Sequence, residues 1–212
     1  MKKFFFCFLI PVCLMLTSCG SSVSRDPFSY TDAAFTLTVR GELLLEIDPS
    51  FTQGTVGKTR SGEPLAFSAE VSSSPLPAGT VMDGLPATER AYRVTVTYTA
   101  PEALAGISVV CVYGGAETAT KAALTYPSPS EPLTVSLPFA SVKGLLLPAL
   151  ALLPRGDVIE ISPVTDGAWS VTCESGQGET AVYAFSKDSP FPAKIKVSGP
   201  AQRFWMCADP KG

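Results

Sequence analysis

Between Phe35 and Cys207 the chain returns again and again to one short pattern, apolar and polar residues in strict alternation, and it shows a helical pattern once. Phe35, Leu37 and Val39 alternate with Thr36, Thr38 and Arg40, and Tyr92, Val94, Val96 and Tyr98 alternate with Arg93, Thr95, Thr97 and Thr99. A period of two in β-branched and aromatic residues is the mark of a strand with one buried face. Further runs of this kind cover 42–47, 64–71, 106–113, 117–126, 132–138, 157–164, 168–174, 179–186, 192–198 and 202–207. Turn residues separate them: Gly114-Gly115, Asp166-Gly167, Gly176-Gln177-Gly178, and Pro190 with Pro192. Many short strands in succession predict a sandwich or barrel-like antiparallel sheet, an all-β fold. Two longer connections, 49–63 and 72–90, are rich in Gly, Ser, Thr and Pro; loops of that length are commonly functional or mobile.

The single helical segment runs from Ser141 to Leu153, with Pro154 and Gly156 closing it. Ser141 is the expected cap, and Pro148 in the interior should kink the helix at a cost of about 3 kcal/mol. Leucines fall on every side of it, so it calls for burial all round. Three arrangements satisfy that demand. The helix can be a core element inserted into a curled sheet, a lid over a hydrophobic cavity, or a segment that dips into a bilayer.

The first twenty residues follow a different logic. Lys2 and Lys3 precede an apolar run from Phe4 to Leu16, then Thr17-Ser18, which is the layout of a secretory signal peptide. The run is shorter than the roughly 20 residues a spanning helix needs, and Pro11 interrupts it. Leu16-Thr17-Ser18-Cys19 resembles the bacterial lipobox, in which the cysteine thiol receives a diacylglyceryl group. That resemblance implies cleavage before Cys19 and a lipid anchor on Cys19, placing the mature chain on the cell membrane or outer membrane with its domain on the extracytoplasmic side. At least two acyl chains are implied, enough for stable anchoring where one chain is marginal. Gly20 follows the cysteine, where an aspartate would signal inner-membrane retention in such lipoproteins. The expected organisation is a signal peptide over 1–18, a lipidated tether over 19–30, and a single β-rich domain over 31–212.

Loss of residues 1–18 leaves 14 basic and 19 acidic side chains, a net charge of −5, with the bases scattered. Such a chain has no electrostatic footprint for nucleic acid. Cys111, Cys173 and Cys207 would remain, so at most one internal disulfide can form; burial is expected for Cys111 and Cys173, with a Cys173–Cys207 bridge as the lesser alternative. There is no histidine, which excludes a Ser-His-Asp triad, a Cys-His pair and histidine metal ligands, and no CxxC pair points to zinc. No G-x-S-x-G elbow, P-loop or dinucleotide fingerprint is present. Asp157 with Glu160, and Asp166 with Glu174, read as strand-end and turn residues rather than a catalytic pair. No enzyme chemistry, cofactor or metal is expected.

Strands, a Leu-rich helix, then further strands ending in a Pro-rich hairpin is an order with a family likeness. With Thr99-Ala100-Pro101-Glu102-Ala103-Leu104-Ala105-Gly106 after a long strand, and Asp188-Ser189-Pro190-Phe191-Pro192 leading into Ala193–Val197, residues 34–207 resemble the lipoprotein carrier and receptor family, LolA/LolB-like. The resemblance implies an antiparallel open half-barrel of about 11 strands with a helical lid, whose inner face holds a lipid or other apolar ligand. Tyr92, Val94, Val96, Tyr98, Leu146, Leu150, Leu153 and Trp169 are the corresponding candidates here. Arg40 and Arg93, the arginines available to face a lid, sit where a solvated strand face is expected. The alternative is an envelope or surface scaffold with recognition in the long loops; no protein partner is specified by the sequence.

Overall fold

A computed structural model describes residues 26–45, 64–79, 81–82, 85–86, 90–114, 121–163, 165–176, 178–199 and 202–209. Cys19, the signal peptide and the 49–63 connection lie outside the described residues.

The strands are β1 (Phe35–Leu45), β2 (Leu65–Pro75), β3 (Val81–Met82), β4 (Leu85–Pro86), β5 (Tyr92–Ala100), β6 (Ser108–Tyr113), β7 (Lys121–Tyr126), β8 (Leu133–Pro138), β9 (Asp157–Pro163), β10 (Trp169–Glu174), β11 (Thr180–Phe185), β12 (Pro192–Ser198) and β13 (Gln202–Asp209). One helix, α1 (Phe139–Leu150), separates β8 from β9. Among the described residues, eleven strands form one antiparallel sheet in the order β8-β7-β6-β5-β2-β1-β13-β12-β11-β10-β9, and β3 pairs with β4 apart from it. Every neighbour in the large sheet is a hairpin partner except where β2 meets β5 and where β1 meets β13. Among the described residues the sheet does not close: β8 and β9 each have one partner, at opposite ends. This is the antiparallel all-β sheet that the alternation predicts, in the open half-barrel form with one helix that the resemblance implies.

Residues paired across an antiparallel ladder share a face, and the rows show which face is inside. One row runs Leu37, Val71, Val96, Val109, Leu124, Val135 across β1, β2 and β5 to β8. Another runs Phe67, Gly41, Met206, Ile195, Tyr183, Val171, Ile161 from β2 across the other half. These residues are apolar and, away from the edge strands, almost wholly buried. The intervening positions, Thr38, Arg40, Arg93, Lys194 and Trp205 among them, form the outer, convex face. Arg40 and Arg93 are exposed there, as a solvated strand face requires.

Several expectations are corrected. The 42–47 run is not a separate strand, because β1 continues through Gly41. A Cβ on Gly41 would lie 2.1 Å from the Trp205 carbonyl oxygen, so only glycine lets β13 approach so closely. Residues 72–75 belong to β2 rather than to the 72–90 connection. The helix begins at Phe139 and ends at Leu150, not at Ser141 and Leu153; Pro138 stands at its N-cap and no side chain caps it, so Ser141 is an exposed residue inside the helix. Pro138 supplies a preset φ at the helix start. All three described cysteines are free. Cys173 is buried on the inner face and Cys207 lies on the outer face of β13, with β11 and β12 between their strands, so the Cys173–Cys207 bridge does not form.

Phe28 and Tyr30, which the sequence places in the tether, are buried. Asp26 accepts the Phe28 N–H (2.9 Å) and starts a tight turn over Ser29–Asp32. The turn drives both rings into the end of the half-barrel. Phe28 meets the Tyr183 ring edge-on at 5.0 Å, and Tyr30 packs against Phe35 and Phe191 at 5.9 and 5.4 Å.

Candidate functional site

The inner face of the sheet is a trough, and α1 with the turn after it lies along that trough. The helix packs against β2 and β5 to β8. Its first half is amphipathic in practice: Ser141, Lys143 and Gly144 face solvent while Phe139 and Val142 point inward. From Leu146 onward every residue through Leu153 is buried, so the demand for burial on all sides is met by the C-terminal half alone. Each leucine buried there contributes about 2 kcal/mol.

Pro148 falls where it does least harm. It removes the N–H that would bond the Gly144 carbonyl, and Gly144 is exposed, so water can serve that oxygen. After Leu150 the chain tightens into i→i+3 turns, with Leu152 N–H on Ala149 and Leu153 N–H on Leu150. That leaves the carbonyls of Leu152 and Leu153 inside an apolar interior with no helical partner.

Tyrosine hydroxyls satisfy them. Tyr30 donates to Leu152 O (2.5 Å), Tyr183 to Leu153 O (3.1 Å), and Tyr98 to Leu145 O (2.9 Å). Burial pushes the pKa of all three hydroxyls above the usual tyrosine value, with smaller contributions at Tyr30 and Tyr183 from neighbouring groups, so they stay protonated as donors. Three separate parts of the molecule, the N-terminal turn, β5 and β11, thus fasten one segment. Just beyond it, Arg155 and Glu179 form a half-buried ion pair at 2.6 Å that anchors the entry into β9.

Seven of the eight sequence candidates come together here. Tyr92, Val94, Val96 and Tyr98 line the inner face of β5, and Leu146, Leu150 and Leu153 are buried in the same apolar cluster. Trp169 packs against the edge of the same cluster at the rim of the trough, partly exposed and stacked flat on Phe185 with centroids 4.2 Å apart. In this conformation the leucines fill the trough, as a core helix would. Sequence reasoning missed Phe28, Tyr30 and Tyr183 as members of the cluster. The signal for Tyr183 was its inward position in an alternating strand; for Phe28 and Tyr30 it was two aromatics two apart in an otherwise polar stretch.

Among the described residues no group of three or more His, Cys, Asp or Glu is placed to hold a metal ion, and no helix is long and apolar enough to cross a membrane. No protein-family model matches the chain, and no curated protein matches it. Among solved structures, the chain is similar to a LolA superfamily protein from Nitrosomonas europaea, with 10% identity, 84% of each chain covered and a TM-score of 0.37. It is also similar to an outer membrane lipoprotein-sorting protein domain from Vibrio parahaemolyticus (7% identity, 86% of this chain and 87% of that one, TM-score 0.39). A DUF1329 family protein from Desulfovibrio piger is matched at 12% identity over 86% of this chain and 87% of that one, with a TM-score of 0.41. These likenesses are loose, and the functional reading rests on the geometry of this chain.

Proposed function

We propose that the chain is a membrane-anchored, non-catalytic lipoprotein that binds a lipid or other apolar ligand between α1 and the inner face of its half-barrel. The observation that carries this is the way the trough is covered: one apolar segment, 145–153, fastened at its backbone by three tyrosine hydroxyls. Each such bond contributes about 1 kcal/mol. A segment held through backbone carbonyls can be exchanged for another apolar occupant without rebuilding the sheet. If α1 moves out, the trough bared by Tyr92, Val94, Val96 and Tyr98 gains about 0.8 kcal/mol for each methylene of a ligand it removes from water. Pro148 weakens α1 as a rigid unit and favours that movement. The anchor at Cys19 keeps the trough near a source of such ligands at the cell membrane or outer membrane, since the residues from Cys19 to Asp26 span at most about 25 Å.

The second reading, a rigid envelope scaffold with recognition in its loops, is favoured by the near-complete burial of Leu146, Leu150 and Leu153. Native mass spectrometry of the purified protein separates the two: co-purified lipid noncovalently held by the domain is expected, and a ligand-free spectrum together with no uptake of a fluorescent fatty acid leaves the scaffold. The anchor is tested separately. Replacing Cys19 with Ser should abolish palmitate labelling and leave the precursor uncleaved; labelling that persists removes the anchor from the reading.

A further inference from the structure

At the rim where Trp169 stands, the N-terminal segment and two turns enclose a cleft of about 510 Å³ that is separate from the packed trough. Its walls are Asp26, Pro27 and Ser29 from the N-terminal segment, Gly167 and Trp169 from the start of β10, and Ser186 to Pro190 from the turn between β11 and β12. That volume is within the range of small-molecule sites, about 300 to 1,000 Å³.

The lining is far more polar than the trough. Trp169 offers one flat aromatic surface, held in place from behind by the Phe185 ring at 10° to it. Its indole N–H has no acceptor among the described residues. Asp188 is exposed and makes no side-chain bond there, and Asp26 uses only one oxygen, on the Phe28 N–H. Ser189 accepts the Phe191 N–H (3.1 Å), which leaves its hydroxyl proton free to donate; Ser29 and Ser186 add two more hydroxyls. The turn that leads into Trp169 depends on Asp166 and Gly167, both in the left-handed region (φ 63° and 77°), with Lys187 lying across Gly167.

We propose that this cleft binds a neutral saccharide. A pyranose has one face of polarised C–H bonds that packs on the electron-rich face of an indole, and a girdle of hydroxyls that both donate and accept. Trp169 supplies the first surface, and the Asp26 and Asp188 carboxylates with the three serines supply the second. Two carboxylates against the single Lys187 give the lining a net charge of −1, which opposes phosphate and other anionic ligands. Lys187 in the same wall offsets part of the attraction that the two carboxylates hold for an ammonium ligand, and choline is therefore one of the test ligands. An acyl chain would leave every one of these polar groups without a partner. The proposal does not depend on whether α1 moves.

The protein has two tryptophans, so the full-length Trp205→Phe variant reports on Trp169 alone. Its fluorescence is titrated with chitotriose, maltotriose, cellotriose, choline chloride and inorganic phosphate, each to about 50 mM, which would reveal a Kd near 10 mM. A saturable change with at least one trisaccharide, weakened about tenfold by Asp188→Asn in the same background, is the expected result. Asp188 is exposed, so that variant keeps the fold, checked by its circular dichroism. Saturation by none of the three sugars overturns the proposal. So does saturation by choline or phosphate in their place, or sugar binding that Asp188→Asn leaves unchanged.

Discussion

Removing the hydroxyl of Tyr183 leaves the Leu153 carbonyl in an apolar interior without its donor. Tyr183→Phe should therefore cost about 1 to 3 kcal/mol, read as a lower urea midpoint with an unchanged slope, even though the ring and its contact with Phe28 remain. The thiols give a second residue-scale expectation. Burial pushes Cys111 and Cys173 up to about 11, with Asp157 adding to the effect at Cys173. In the unfolded chain a thiol ionises near pH 8.5, so the folded state holds these protons to higher pH. Their contribution is complete below about pH 8.5 and falls as pH rises toward 11, by about 1.4 kcal/mol per pH unit for each thiol. Urea denaturation at pH 8 and pH 10 should show the loss, and Cys111→Ala should reduce it. At this scale the inward residues of the strands were legible because alternation assigns a face one residue at a time. Tyr30 was not, because its partner carbonyl lies 122 residues away and nothing in Ser29-Tyr30-Thr31 announces it.

Among the elements, α1 is where sequence and structure bear most directly on each other. Composition alone placed an apolar helix between two sets of strands, and Pro148 announced its weak point. Its start was misplaced because a serine is a strong capping residue, whereas Pro138 begins the helix by backbone geometry and leaves Ser141 with no bond to make. If 145–153 fills the trough as tightly as its burial indicates, Leu146→Ala should cost about 2 to 5 kcal/mol, measured by urea unfolding. A loss well below that range would mean that the leucine borders open space, which supports the lid over the core. In β1 the polar–apolar alternation breaks at Gly41, so the sequence divides what the fold keeps whole. The glycine is there for the neighbouring strand's backbone, a contact that no local pattern records.

At the scale of the molecule, the succession of short strands and the turns at Gly114-Gly115, Asp166-Gly167, Gly176–Gly178 and Pro190 made an antiparallel all-β fold legible, while its open half-barrel form was what the family resemblance implied. The open edges follow from the same order. On β9, Val158, Ile159 and Ile161 are exposed, 44%, 57% and 56% respectively, beside a row of backbone groups with no strand partner on one side among the described residues. Exposed apolar edges invite pairing between copies, and a lysine there is the usual remedy. Ile161→Lys should lower concentration-dependent light scattering without lowering the urea midpoint; an unchanged scattering curve would clear β9 as the sticky edge. What the sequence did not disclose is the seam where β1 meets β13, pairing Thr38 with Asp209 in the interior of the sheet. That seam bears on how the chain comes to be folded. The first strand after the N-terminal turn has no final neighbour on one side until β13 has been made, so the two halves of the sheet cannot join before then. Contacts so distant in sequence make folding slow, on the scale of milliseconds to seconds. Until β13 arrives, the side of β1 that it will cover is an open strand edge, the kind of edge that can pair with another chain.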